Sequence, residues 1–85
     1  MPYYLLLTRS ITHAQRLSGM LEKAGISAPF FRPPMSLTSR GCGYAVRISE
    51  KNLTAAIRLL RPAGLEPVRI YYFSGNGAFR EINLA

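Results

Sequence analysis

The residues of this chain best suited to chemistry lie in one short stretch, SRGCGYAVRI. At its centre is Cys42, the only cysteine of the chain, flanked by Gly41 and Gly43 with Arg40 and Arg47 nearby. A thiolate is a strong nucleophile, and nearby positive charge lowers the pKa of a cysteine from about 8.5 towards neutrality. Flanking glycines leave room around the sulfur and let backbone N–H groups approach an anion. The stretch predicts either a reactive, sulfur-bearing thiol or, as lone cysteines often are, a small buried apolar side chain.

Few other residues combine into a site. His13 is predicted in the first turn of a helix at the same end of the fold as Cys42, where it acts as a base or is simply an exposed helical histidine. One cysteine, one histidine and no aspartate are too few ligands for a metal site. No carboxylate pair, lysine-containing phosphate loop or Ser-His-Asp set can be assembled. We therefore expect no metal and no cofactor, and a carrier or binding protein more readily than an enzyme.

The charge of the chain indicates an anionic partner. Eleven Lys and Arg against four acidic residues give a net charge of +7, which suits nucleic acid, an acidic protein face or a small anion. The arginines are scattered, without a run of five basic residues, and this weakens the nucleic-acid interpretation. Tyrosines can stack on bases, but no RNP-type stretch is present, and Tyr71 and Tyr72 must point to opposite faces of a strand. Packing within the fold is the better account of the tyrosines.

Length and composition indicate one folded domain spanning residues 1–85. The hydrophobic fraction is 48%, and the first apolar run falls far short of the about 20 residues that cross a bilayer. A single cysteine forms no internal disulfide, and nothing resembles a signal peptide. We therefore expect a protein of the reducing cytoplasm that does not associate with a membrane.

The elements that would position Cys42 follow from the periodicity of the chain. Residues 3–8, YYLLLT, predict a strand buried on both faces. A capping-box pattern beginning at Thr12 predicts a helix that Gly25 ends. Residues 26–31 predict a second strand, which Pro29 confines to a sheet edge. The buried face of the helix is predicted to consist of Ala14, Leu17, Leu21 and Ala24.

The second half of the chain has the same layout. Residues 32–43 form a loop about twice as long as a usual hairpin connection. Residues 44–49 alternate between apolar and small or polar positions, as a half-exposed strand does. Ser49 is expected to cap a second helix that ends near Arg61. The buried stripe of that helix is predicted to consist of Leu53, Ala56, Ile57 and Leu60.

The remaining residues complete a sheet. Residues 65–73 predict a fourth strand, and the Asn76-Gly77 turn signal predicts a tail or hairpin over residues 73–85 with a short strand at 78–82. The order β-α-β-β-α-β with right-handed crossovers predicts a ferredoxin-like α+β sandwich, with two helices on one face of an antiparallel sheet. The second or fourth strand, as an exposed edge, could also pair two copies into a homodimer.

This topology predicts where Cys42 lies. The loop between the second and third strands reaches the sheet end at which the first helix begins, so Cys42 should share that end with Thr8, Arg9 and Gly64. A helix N-terminus carries about half a positive charge and free N–H donors. Together with the guanidinium groups of Arg9 and Arg40, it would favour a thiolate.

The segment from Leu7 to Ile48, followed by a helix and a strand, resembles the family labelled putative selenium/sulfur carrier protein-like. The resemblance covers roughly residues 3–72 and centres on a Cys-Gly-x-Ala-x-Arg core. The chain departs from the family pattern at Pro34, where the family has arginine, and after Phe73. Apart from that departure, the matching residues are Ala14, Leu21, Gly25, Ile26, Pro33, Leu37, Ser39, Cys42, Gly43, Ala45 and Arg47.

The resemblance implies a carrier that holds sulfur or selenium on Cys42 as a persulfide-type adduct. Its partners would be a donor protein such as a cysteine desulfurase and an acceptor protein. A lone cysteine suits storage, because no second thiol is present to resolve the adduct into a disulfide. The alternative is a basic binding module for nucleic acid or an acidic protein, in which Cys42 is merely structural. The expected anion-binding residues of the carrier are Arg9, Arg40, Gly41, Gly43 and Arg47.

Overall fold

The computed structural model describes residues 2–33, 43–75, 77 and 79–82. Within them the chain forms five strands in one antiparallel sheet, two α-helices and a 3-10 turn, which confirms the predicted α+β class with two helices and an antiparallel sheet. The strand order across the sheet is β2-β3-β1-β4-β5. The elements are β1 (Tyr3–Leu7), α1 (Ile11–Lys23), β2 (Phe30–Phe31), β3 (Ala45–Ser49), the turn Glu50–Asn52, α2 (Leu53–Leu60), β4 (Arg69–Phe73) and β5 (Phe79–Ile82).

The two faces of the sheet are packed differently. Because side chains alternate along a strand, Leu6 of β1 faces the helices, whereas Leu5 and Leu7 face the other way. Leu6 belongs to the main core with the buried residues of α1 and α2. Leu5 and Leu7 form a smaller cluster with Ala45, covered by partly buried aromatic side chains. The prediction that β1 is buried on both faces is therefore confirmed.

Helix α1 begins earlier than predicted. Its N-cap is Ser10, whose backbone is extended and whose Oγ accepts a hydrogen bond from the His13 N–H at 3.2 Å. The prediction that Thr12 caps the helix is wrong, because Ser10 already satisfies a first-turn N–H and Thr12 lies inside the helix. Ala24 is exposed rather than buried, since the helix ends at Lys23 and Gly25, at φ 84°, turns the chain away. The predicted burial of Ala14, Leu17 and Leu21 is confirmed.

Strand β2 is shorter than the predicted 26–31 because α1 binds the chain before it. The Ala28 N–H donates to Glu22 Oε2 at 2.8 Å, and the Ala28 carbonyl accepts from Ser18 Oγ at 2.5 Å. Both backbone groups of Ala28 are therefore used by side chains of α1 and not by the sheet. The Pro29 carbonyl still accepts from the Arg47 N–H at 2.9 Å. The predicted edge position of β2 is confirmed.

The second half also shows local differences. Ser49 precedes the 3-10 turn and makes no side-chain capping bond, so the prediction that it caps the second helix is wrong. The buried stripe of α2 and its end before Arg61 are as predicted. Strand β4 begins only at Arg69, opposite Leu7 at the end of β1, although the Val68 N–H already donates to the Leu7 carbonyl oxygen at 2.8 Å. Since β4 lies between β1 and β5, it is not the exposed edge that the sequence predicted. Asn76 lies outside the described residues.

A short hydrogen bond links the 3-10 turn that precedes α2 to β4. The Tyr72 hydroxyl donates to Glu50 Oε2 at 2.6 Å. This bond, with a smaller contribution from burial, raises the pKa of Tyr72 above its ordinary value of 10.0. A raised pKa means that folding favours the protonated phenol, so the bond stabilises the fold below pH 10 and is lost as the pH rises further.

We expect Glu50→Gln to move the pKa of Tyr72 back towards its ordinary value, because the amide keeps an acceptor oxygen but removes the negative charge. The measurement is the alkaline absorbance titration of tyrosinate, with a Tyr72→Phe variant subtracted to isolate Tyr72. A Tyr72 titration curve that Glu50→Gln leaves unchanged would contradict the assignment.

Candidate functional site

The structure describes some residues of the predicted site but not its cysteine. Cys42, Arg40 and Gly41 lie outside the described residues, which resume at Gly43. Of the predicted site residues, Gly43, Arg9 and Arg47 lie within the described part of the chain. Among the described residues, no group of three or more His, Cys, Asp or Glu side chains could hold a metal ion, and no helix is long and apolar enough to cross a membrane.

Gly43 packs directly against the end of β1. Its φ is 108°, a backbone conformation that side-chain-bearing residues rarely adopt, and a Cβ placed on it would lie 2.9 Å from the Thr8 carbonyl oxygen. The Thr8 N–H and Oγ1 both donate to the Tyr44 carbonyl oxygen, each at 2.8 Å. Thr8 Oγ1 also lies 3.2 Å from the Ser10 carbonyl oxygen. The residue that follows Cys42 is therefore held at the junction between β1 and α1.

A basic cleft of about 270 Å³ opens at this same end of the sheet. It lies between the first turns of α1 and the connection from α2 to β4, so it joins Arg9 and Gly64 as the topology predicts. No carboxylate lines it, and neither Arg9 nor Arg16 has a described carboxylate within ion-pair distance. The cleft combines positive side chains with hydroxyl groups; its lining residues are Arg9, Ser10, Thr12, His13, Arg16, Gly64 and Leu65.

His13 is held in one orientation at the edge of this cleft. Its Nδ1 accepts a hydrogen bond from the Arg9 N–H at 3.2 Å, while its own N–H donates to Ser10 Oγ. An accepting Nδ1 carries no proton, so the neutral ring has its proton on Nε2. His13 is half-buried and lies at the end of the sheet that the sequence predicted for it.

Arg47 lies away from this cleft. It is exposed on β3 opposite Leu5, and its guanidinium carbon lies 5.6 Å from the centroid of the Tyr3 ring. Tyr3 is at the far end of β1 from Thr8, roughly 16 Å along the strand. The structure therefore brings Gly43 and Arg9 to one end of the sheet but directs Arg47 towards the other.

The sequence prediction placed Thr8 at this end but missed its hydrogen-bonding role, and it did not include Arg16. Thr8 holds the end of β1 against β3 through its hydroxyl, and Arg16 supplies the second guanidinium of the cleft. A signal for Thr8 was present, because a polar residue that directly follows three buried leucines must find a hydrogen-bond partner. Arg16 lies nearly two helical turns from the N-cap. Because Arg9, Thr12 and Arg16 are three and four residues apart, helical spacing indicates that their side chains lie on one side of the helix start.

The fold and this end of the sheet define a small α+β protein with one thiol and a basic cleft beside the start of its first helix. The chain belongs to the family described as "Putative Se/S carrier protein-like", whose model matches residues 3–72. The resemblance inferred from the sequence is thus confirmed. Comparison of the chain with curated proteins and with solved structures finds no significant match.

Proposed function

We propose that the protein carries a sulfur or selenium atom on Cys42, as a persulfide-type adduct, between a donor and an acceptor protein. The family match supports this proposal most strongly, since residues 3–72 include the only cysteine of the chain. The packing of Gly43 on Thr8 adds support. It holds Gly43, the residue after Cys42, at the end of the sheet where the basic cleft opens.

The transfer step needs little catalytic apparatus. The Cys42 thiolate attacks the outer sulfur of a donor persulfide, a new S–S bond forms on Cys42, and the donor S–S bond breaks to release the donor thiolate. No oxidant is consumed, because one disulfide-type bond replaces another. Both the attacking thiolate and the loaded persulfide are anions, so positive charge at this end of the sheet stabilises both.

The residues around the thiol divide into two groups. Arg9 lies in the cleft, and Arg40 and Gly41 flank Cys42 in sequence, which favours these residues as stabilisers of the anion. The sequence alone predicts the same role for Arg47, but its contact with the Tyr3 ring supports a separate role.

We also infer a ferredoxin-like fold with an added fifth strand. The order β2-β3-β1-β4 with antiparallel neighbours is the order that two interleaved βαβ units produce. The proposed location is the reducing cytoplasm, where a lone thiol stays available for loading. The proposed partners are a desulfurase-type donor and an acceptor protein that takes the atom onward.

The test is sulfur loading followed by intact-protein mass spectrometry. During turnover of a cysteine desulfurase, the wild-type chain is expected to gain one sulfur atom that a reductant removes, and Cys42→Ser is expected to gain none. An active donor that leaves the wild-type mass unchanged would refute sulfur transfer from this donor class. Equal loading of Cys42→Ser would refute the site.

The pH dependence of Cys42 alkylation tests the proposed stabilisers. We expect a midpoint below the ordinary thiol pKa of about 8.5. Arg9→Gln should raise that midpoint and slow alkylation at pH 7 by up to about tenfold, since a nearby opposite charge shifts a pKa by about one unit or more. Arg47→Gln, which removes the same charge at the other end of β1, should leave the midpoint unchanged. Equal effects of the two variants would contradict the assignment of Arg9.

A further inference from the structure

A layer of aromatic rings lies on the face of the sheet that the helices leave uncovered. The ring centroids of Tyr3 and Phe73 are 4.9 Å apart, those of Phe73 and Phe79 are 4.9 Å apart, and those of Tyr3 and Phe79 are 6.5 Å apart. The three side chains come from β1, β4 and β5 and are each partly exposed. This three-ring cluster offers ring surface to solvent at the end of β1 that is opposite to Thr8.

The surface beneath these rings is already closed. Leu5 and Leu7 are only 1% and 6% exposed, since Tyr3, Tyr71 and Phe79 cover them. What remains accessible at this end of the face is therefore aromatic rather than aliphatic. Nucleobases stack on such surfaces, and stacking tolerates any sequence because every base has a π-face.

Positive charge accompanies the rings. The guanidinium of Arg47 lies over Tyr3, and among the described residues no carboxylate is within ion-pair distance of it. Arg69 adds a second guanidinium farther along the same face, beside Glu81, which is the one carboxylate that the described strands place there. With a net charge of +7 over the whole chain, the field favours a polyanion.

A cavity of about 370 Å³ adjoins the three-ring cluster. Its apolar lining residues are Pro2, Pro29 and Ile48, and the others are Tyr3, Arg47 and the hydroxyl-bearing Ser27 and Ser49. Its volume lies in the range of small-ligand pockets, and its lining includes one aromatic ring, one cation and two hydrogen-bonding side chains. These are the groups that contact a base, a phosphate and a sugar.

We propose that the helix-free face of the sheet binds single-stranded nucleic acid, with bases stacked on Tyr3, Phe73 and Phe79 and a backbone phosphate paired with Arg47. The choice of this occupant rests on charge complementarity and on the aromatic character of the exposed surface. A second copy of this chain would bring like charges together on a face that exposes little aliphatic surface. Because Gly43 and the basic cleft lie at the opposite end of β1, the two sites can fail independently.

Fluorescence anisotropy with labelled single-stranded oligo(dT) and oligo(U) tests the proposal. At low salt the wild-type chain is expected to bind, with an affinity that falls as salt rises. Phe73→Leu, which keeps an apolar side chain but removes the stacking surface, should weaken binding at least about fivefold. Arg47→Gln should weaken binding and lower the salt slope by about one. Cys42→Ser should bind as the wild type does.

Arg58→Gln is the matched control for charge. Arg58 is exposed on α2, on the other side of the sheet, and its replacement lowers the net charge by the same amount. It should weaken binding less than Arg47→Gln does, and circular dichroism should show that all variants are folded. Three results would overturn the proposal: no binding at low salt, duplex DNA bound as tightly as single strands, or equal effects of the two arginine variants. Sedimentation showing a dimer that Phe73→Leu dissolves would assign the face to a second copy instead.

Discussion

Gly43→Ala is expected to lower the free energy of unfolding by about 2 to 4 kcal/mol, a large part of the stability of a domain of this size. Two costs combine at this position. The backbone has a φ of 108°, which costs a non-glycine residue about 1 to 3 kcal/mol. The new Cβ would also approach the Thr8 carbonyl oxygen to 2.9 Å, and that backbone atom cannot rotate away. Urea denaturation of the wild type and the variant measures the difference in unfolding free energy, provided that the two proteins have the same m-value.

Alanine substitutions at two other glycines distinguish the cost of the positive φ from the cost of the contact with Thr8. Gly25 has a φ of 84° with nothing within 4 Å of a Cβ, so Gly25→Ala should cost about 1 to 2 kcal/mol through conformation alone. Gly19 lies in the middle of α1 on its exposed side, and nothing lies within 4 Å of a Cβ placed there. Because alanine favours the helix more than glycine does, Gly19→Ala should stabilise the chain by about 0.5 to 1 kcal/mol. A cost at Gly43 no larger than at Gly25 would show that the contact with Thr8 contributes nothing.

Leu6→Ala is expected to destabilise the chain by about 3 to 5 kcal/mol, enough to unfold much of a domain with marginal stability. Leu6 is fully buried in the central strand, and its cavity would be enclosed by the two helices and the neighbouring strands. A cavity that cannot collapse costs the lost contacts in addition to the transfer of the side chain from water. Thermal and urea unfolding would measure the loss.

Leu5→Ala is the matched comparison, one residue away on the same strand. Leu5 is only 1% exposed, but partly exposed aromatic side chains cover it and can settle into the space. We expect a cost of about 2 to 3 kcal/mol, clearly below that of Leu6→Ala. An equal or larger cost at Leu5 would mean that the aromatic face is as rigid as the core beneath the helices.

The elements of the fold were largely predictable because they depend on local periodicity. The buried stripe of α2 follows from helical spacing and the burial of β1 on both faces follows from an unbroken apolar run, and both are confirmed. The errors arise where a distant group decides the structure. Strand β2 is short because Ser18 and Glu22 of α1 use both backbone groups of Ala28, and no local pattern reports such bonds.

Only part of the surroundings of the candidate site can be compared with the structure, and the position of Cys42 stays a prediction. Topology alone indicated that Arg9 and Gly64 share an end of the sheet, and the structure brings them to one cleft. Topology did not indicate the direction of Arg47, which depends on its contact with the Tyr3 ring. Strand alternation assigns a long side chain to a face but leaves open which end of that face its charged group reaches.

The central place of β1 has a consequence for synthesis on the ribosome. This strand is made first, yet one of its two neighbours, β4, begins at Arg69, more than sixty residues later. At the usual rate of about 5 to 20 residues per second, β1 waits roughly 3 to 12 s before that neighbour exists. Throughout that interval one edge of an apolar strand lacks its partner, and an unpaired edge of this kind is where mispairing with other strands begins.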